Sequence, residues 1–490
     1  DQWIVYYIYL YTEYVYLLCP RSLRECIGKY LRILEQIAME RQTRRAFLAT
    51  VGATGLAGCS AIGGQAPGES SSQTPSQTTT STTTTNNGSG ESTTTNTTTT
   101  SSQSGSQAFA DFEDLSRWSV LDQMGTLKKS KDSYTGSQAA LVTGGKKTKE
   151  GMIEAPTARF GKNNNLADLS NNDLSIAFKC KSHKFSKISV RLIDIGKRVM
   201  EMKRTLVGPQ NTWVRVNLGT TGVSNPQNFD LSSIYKIRIT GRPRNPKSTK
   251  RIKFLVDDLR TVKQPKKGKV MLTFDDGGAS QYKNAYQLMK KPKYDFPGVA
   301  AVITDAIGKG GFMSYEQLHE MSQNSGWDVI AHPNAQADPM PTYSKQQQKQ
   351  LMQEAKNYLR DAGFDGYKYM AVPKNTVGPT TFKLAQDMFD LTFSWGASPN
   401  ALPLITDDTI VSRMYAHQKR QTNMRVVKQR IDAAARYKQL TPLLFHAIGG
   451  KQGIRLKDFK TILNYIKKKN VDVVTPSDLE EQDLLQTMSN

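Results

Sequence analysis

Between residues 108 and 263, apolar and polar side chains alternate with a period of two in short runs. The runs 174–180, 188–194, 213–218, 234–239 and 252–258 each offer one apolar and one polar face. Successive side chains of a strand point to opposite faces, so this spacing, broken by turn residues, predicts an all-β sandwich, one that broadly resembles jelly-roll modules. After residue 264 the pattern changes. Apolar-rich runs at 270–274, 299–304, 327–331, 369–372, 391–395, 410–415, 443–445 and 471–474 alternate with stretches of helical period. Strand–helix alternation of this kind implies a parallel α/β fold, here a distorted (β/α) barrel over 264–490. Two helix starts are marked by capping boxes, Ser314 with Gln317 and Ser344 with Gln347. The second of these helices, spanning 345–362, is expected to stop at Gly363.

Composition narrows the setting. The chain has 490 residues with a mean hydropathy of −0.52, which excludes a polytopic membrane protein. Its net charge is +23, of which 108–263 carries +15, 264–490 carries +8 and 1–107 none. Such an excess attracts anionic surfaces or polymers and says nothing about fold. Lysines and arginines alternate outward on several expected strands, which reads either as a solvated face or as a surface for an anionic glycan. Four cysteines, Cys19, Cys26, Cys59 and Cys180, are too few for a disulfide scaffold.

The first 107 residues address rather than build the protein. Thr43-Arg44-Arg45-Ala46-Phe47-Leu48 opens a short apolar stretch that closes with Leu56-Ala57-Gly58-Cys59. The arginine pair resembles a twin-arginine export signal, and the closing four residues resemble a lipobox whose Cys59 is lipidated. Met39 lies at the usual distance upstream, so residues 1–38 read as an over-extended start. Of residues 71–100, fifteen are Thr and six are Ser, with no aromatic side chain. A segment of that kind cannot bury enough apolar surface to offset its ordering entropy, so 60–107 is expected to be a solvated stalk. The expected location is extracytoplasmic, on a membrane anchor, a setting that argues against a nucleic-acid partner.

Asp275 and Asp276 follow Leu272-Thr273-Phe274 and precede Gly277-Gly278, at the C-terminal end of the first α/β strand. Parallel barrels place catalytic groups at that edge. Two adjacent carboxylates repel each other there, and a cation relieves them; these residues alone also suit a tight turn. The run Thr273–Gly277 resembles the first motif of the NodB-like polysaccharide deacetylases. Later segments keep that family's order: 311–332 ending in His332, Val372-Pro373, Trp395, and Leu443-Leu444-Phe445-His446. The resemblance implies Asp275 as general base, His446 as general acid, and Asp276 and His332 as metal ligands. Pro373 and Trp395 would line the substrate site. Gln336 stands where the family's third ligand, a histidine, belongs, with the carboxylate of Asp338 nearby. The family's base-orienting arginine aligns with Ala371, and its following aromatic and glycine align with Lys374 and Asn375. The implied cofactor is a divalent metal, zinc or, given Gln336, manganese or magnesium. The implied activity is hydrolysis of the amide C–N bond of N-acetylated sugars in a polysaccharide or cell-surface glycan. The alternative is a glycan-binding or structural protein whose deacetylase-like domain no longer turns over. His183 and His319 are expected to be solvated, and His417 to be a satisfied surface residue, the alternative being a replacement metal ligand.

Overall fold

The computed structural model describes residues 106–121, 123–157, 166–335, 338–396, 398–405, 410–417, 422–451 and 453–486. The export signal, Cys59 and the Thr/Ser stalk lie outside them. Among the described residues, two six-stranded antiparallel sheets come first. One contains Asn172–Cys180, Val214–Leu218 and Lys253–Lys263; the other contains Gly151–Pro156, Phe185–Asp194, Val199–Val207 and Ile234–Pro243. The alternation read from the sequence sets their faces. Leu174, Ile176 and Phe178 of the first sheet and Ile188, Val190 and Leu192 of the second are buried in one common core.

The chain then forms a closed barrel of seven parallel strands: Gly268–Asp276, Val299–Val302, Asp328–Ala331, Tyr369–Ala371, Leu391–Trp395, Val411–Tyr415 and Leu440–Phe445. Gly268–Asp276 pairs with both Val299–Val302 and Leu440–Phe445, which closes the ring. Each strand is buried on both faces, as parallel strands under helices must be. Met271 meets Val299, Ile330, Tyr369, Phe393, Val411 and Leu440 in a core drawn from all seven strands. Val270, Leu272 and Phe274 point the other way, into the core shared with the helices. Both capping boxes form, at Ser314 and Ser344. The second helix runs Lys345–Asp361, and Gly363 follows with φ of 79°.

Sheets and barrel meet across buried polar contacts. The guanidinium of Arg204, on Val199–Val207, donates to Asn400 Oδ1 at 2.8 Å and to the Ile410 carbonyl at 2.9 Å. Asn400 in turn brackets Ser412, accepting from its N–H at 2.9 Å and donating to its carbonyl at 3.0 Å. Nearby, Asp173 is buried and accepts from Gln439 at 2.8 Å, Gln264 at 3.1 Å and the Leu402 N–H at 3.4 Å.

Burial pushes the Asp173 carboxyl up to about 7, against the hydrogen bonds from Gln439, Gln264 and Leu402. A carboxyl whose folded pKa exceeds its unfolded value stabilises the fold fully below the unfolded pKa and loses that contribution as pH rises through the folded one. Thermal stability should therefore fall between about pH 4 and about pH 7, in part through this group. Asp173→Asn should show a smaller fall over the same interval. Melting curves of the two proteins across that range provide the check, and equal slopes would contradict it.

Candidate active site

The strand Gly268–Asp276 delivers two carboxylates in two different settings. Period-two alternation turns Thr273 and Asp275 to the face of Met271, the barrel interior. On the opposite face Phe274 is fixed by aromatic neighbours: Trp327 at 5.1 Å, Phe445 at 5.3 Å and Phe459 at 6.1 Å between ring centroids. The backbone then leaves the strand. Asp276 and Gly277 have φ of 78° and 77°, a left-handed turn that Asp tolerates better than most residues. Asp275 is therefore buried, whereas the Asp276 side chain is half exposed at the rim.

Asp275 is held by Arg413, from the strand Val411–Tyr415. The guanidinium grips the carboxylate in a fork, Nη1 to Oδ1 at 2.7 Å and Nη2 to Oδ2 at 3.0 Å. Both side chains are almost fully enclosed, 0% exposed for Arg413 and 3% for Asp275. Nη2 also donates to Asn375 Oδ1 at 3.0 Å, and Asn375 Nδ2 donates to the Tyr415 hydroxyl at 3.0 Å. Ser394 donates to the Asn375 carbonyl at 2.8 Å. Gln281 closes the opposite side, its amide donating to the Asp275 carbonyl at 2.6 Å and the His446 carbonyl at 3.2 Å.

Asp276 faces His332, with Oδ1 3.6 Å from Nε2. The Nδ1 of His332 is 2.8 Å from the Ala371 carbonyl, which fixes the ring and leaves Nε2 turned to the carboxylate. Burial pushes the Asp276 carboxyl up, but its contact with His332 and the charges of His332, His446 and Lys374 bring it below its ordinary value. His332 shows the converse: burial lowers it, and Asp276, Asp275 and the Ala371 carbonyl outweigh that and raise it. His446 follows the strand Leu440–Phe445, half-buried, its ring stacked on Tyr415 at 5.9 Å and 6°.

The structure thus brings Asp275, Asp276, His332 and His446 to one edge of the barrel. Gln336 lies outside the described residues, as does the side chain of Trp395. Pro373 is buried at the start of a short turn, which leaves Lys374 as that turn's exposed residue. Asp338 is exposed, and no third His, Cys, Asp or Glu joins Asp276 and His332 among the described residues. The position aligned with the missing arginine, Ala371, contributes its carbonyl to His332, while the guanidinium comes from Arg413 two strands further on. Nothing in the local sequence marks Arg413. Its signal is an unexplained cation in a buried strand. His417 is not a surface residue: it is buried, its ring 6.5 Å from that of His446. His183 and His319 are half-buried rather than solvated; His319 packs on Tyr315 and Phe364 and meets the Ala362 carbonyl at 3.1 Å.

Removing one partner of a buried ion pair strands the other charge, at a cost of about 3–5 kcal/mol. Arg413→Met should destabilise the protein by about that amount, and the double variant Arg413→Met with Asp275→Asn should recover a large part of it. Denaturant unfolding of the two single variants, the double variant and the parent measures the coupling. Strict additivity would refute it.

Residues 262–389 match the family model described as Polysaccharide deacetylase. A search of curated protein sequences finds no match. Among solved structures, the chain is similar to the Streptococcus pyogenes deacetylase PplD in complex with acetate, at 27% identity and a TM-score of 0.24. That likeness covers 26% of this chain and 57% of PplD, so the chain spans little more than half of that relative. It is also similar to the Xyl-CE4 domain of a multidomain xylanase from the hindgut metagenome of Trinervitermes trinervoides, at 17% identity and a TM-score of 0.33. That likeness covers 46% of this chain and 98% of that one. For the peptidoglycan deacetylase PdaC from Bacillus subtilis the identity is 16%, the TM-score 0.31, and the coverage 45% and 93%. The chain therefore carries a polysaccharide deacetylase domain over residues 262–389.

Proposed function

We propose that the protein is a metal-dependent hydrolase that removes acetyl groups from N-acetylated sugars of a polysaccharide or cell-surface glycan. The observation that carries this reading is the division of labour at one strand end. Asp275 is clamped and buried, and Asp276 stands beside an oriented His332. A carboxylate oxygen and an imidazole nitrogen fixed through its other nitrogen fit two positions of a divalent ion's shell. Gln336, water and substrate would share the rest. Such an ion would polarise the amide carbonyl and favour deprotonation of the attacking water.

The chain's own groups supply the remainder. Water adds to the acetyl carbon while Asp275 takes its proton, and the Arg413 fork keeps that carboxylate aimed at one point. The C–N bond then breaks, and His446 protonates the departing amine. Acetate leaves, and the free amine stays on the sugar. The Tyr415 ring under His446 and the Gln281 bridge hold acid and base at a constant separation. The reading includes a lipid anchor at Cys59, outside the cytoplasm.

Two measurements on the parent and its variants decide it: divalent metal content and acetate release from an N-acetylglucosamine oligomer. Asp276→Ala should lose both. Asp275→Asn and His446→Ala should keep the metal and lose about 10²–10⁴-fold in turnover, the usual worth of positioned proton transfer. Gln336→His should tighten zinc binding. A parent that holds no metal and releases no acetate, unrescued by Gln336→His, would leave a glycan-binding scaffold in place of an enzyme. Separately, Cys59→Ser should release the protein from the membrane fraction; unchanged partition would remove the anchor from the reading.

A further inference from the structure

The second antiparallel sheet turns a basic face away from the core. On Phe185–Asp194, Ile188, Val190 and Leu192 point into the core, so Lys187, Ser189 and Arg191 turn to the other face, where Lys187 and Ser189 are buried among their neighbours and Arg191 is partly exposed. On its neighbour Ile234–Pro243, Ile237 and Ile239 point inward, so Arg238, Thr240 and Arg242 point out. The register sets Arg191 directly opposite Arg238, Ser189 opposite Thr240, and Lys187 opposite Arg242. Lys203, on the other side, stands opposite Ser189. Like charges directly opposite each other destabilise an antiparallel pair, and this face holds two such pairs in register.

The carboxylates nearby sit to the sides and do not fill the centre. Glu201 reaches Arg191 at 2.9 Å and Lys203 at 3.4 Å, and Glu154 reaches Arg238 at 2.7 Å and Lys236 at 3.0 Å. Glu150 stands 3.8 Å from Arg242. Each of Glu201 and Glu154 thus draws two cations and leaves a net positive charge behind. Between the two charged rows lies Thr240, 4% exposed, whose buried hydroxyl has no hydrogen-bond partner. A buried hydroxyl is rarely left so, because losing water without a replacement costs free energy.

We propose that this face binds a linear polyanionic glycan, its carboxylate or sulfate groups lying on the Arg191–Arg238 row and, one charged row on, on Arg242, with a sugar oxygen on Thr240. The rows are four residues apart, about 14 Å at 3.4 Å per residue, too far for one small anion to bridge. Repeated charge on a chain spans them. The outward positions between the cations carry the hydroxyls of Ser189 and Thr240. On the same face Phe185 lies under the Arg244 guanidinium, 5.9 Å from the ring centroid, and Met152, opposite Thr240, is buried, so neither is an open ring for a base or an open wedge for a bilayer. The site stands apart from the barrel edge and holds whether or not that edge is catalytic.

The test uses the full-length protein with dextran sulfate and polygalacturonate as probes, and dextran, single-stranded DNA and anionic vesicles as comparators. The parent should bind the two polyanionic polysaccharides and not dextran. Arg191→Gln with Arg238→Gln should weaken that binding about tenfold or more at fixed salt. Lys345→Gln with Lys349→Gln, which removes the same charge from an exposed barrel helix, should change it less than about twofold. Thr240→Val keeps the shape and removes an unpaired hydroxyl, so it should lower affinity about threefold without lowering the melting temperature. That variant decides the matter if the double arginine variant does not fold. Equal losses from the sheet and helix variants, unchanged binding by Thr240→Val, no binding by the parent, or tighter binding of DNA or vesicles would each overturn the proposal.

Discussion

The Arg413–Asp275 ion pair is the constraint around which the barrel edge is arranged. Two charges enclosed together are tolerated only when geometry and further hydrogen bonds offset their lost hydration. Here the fork is bidentate, and Nη1 and Nη2 donate further to Thr273 and Asn375, while the buried Nε is left without a hydrogen-bond partner. Asn375 must then face inward, and the chain meets that demand by taking left-handed backbone at both Lys374 and Asn375, with φ of 56° and 49°. Such a pair of L-residues costs of order 1–2 kcal/mol each. The bonds Asn375 makes to Arg413, Tyr415 and Ser394 hold the turn in place. Strain at a rim residue is thus the consequence of a charge buried beneath it.

Much of the fold was legible because it rests on local periodicity. Alternation marked the strands of both sheets, and serine–glutamine boxes marked two helix starts to the residue. The family match at 262–389 and the closed parallel barrel agree with the strand–helix alternation. Asp275, Asp276, His332 and His446 were picked out by the resemblance of their segments to the deacetylase motifs, and the barrel brings the four to one edge because they lie at or beside strand ends. Arg413 was not legible. It lies within a strand, 138 residues from the carboxylate it serves, and only closure of the ring brings the two together. Ala371 stands where the family's arginine aligns, and in space the guanidinium beside Asp275 is that of Arg413, on another strand. His417 was not legible as a buried residue for a similar reason: it follows a strand whose place in the ring sets its neighbours, and the fold puts it against Phe445 and His446.

Charge followed a pattern that composition alone did not reveal. The excess of cations in 108–263 is not spread evenly over solvent. Asp132 takes Lys179 and Lys181, Glu154 takes Lys236 and Arg238, Glu201 takes Arg191 and Lys203, and Asp258 takes Arg215 and Arg260. One carboxylate per two cations holds the side chains in order while leaving each group positive. Field strength and rigidity therefore come together, which scattered lysines on a solvated face would not provide.

The brace from Arg204 through Asn400 to Ser412 joins the first half of the chain to the residue next to Arg413. A cut between sheets and barrel would pass through this load path. Severed near residue 264, the barrel would keep every residue of its strand edge and lose the strut that steadies the strand carrying its arginine. The two halves are mechanically one, so a change on an outer sheet can be felt at the barrel rim.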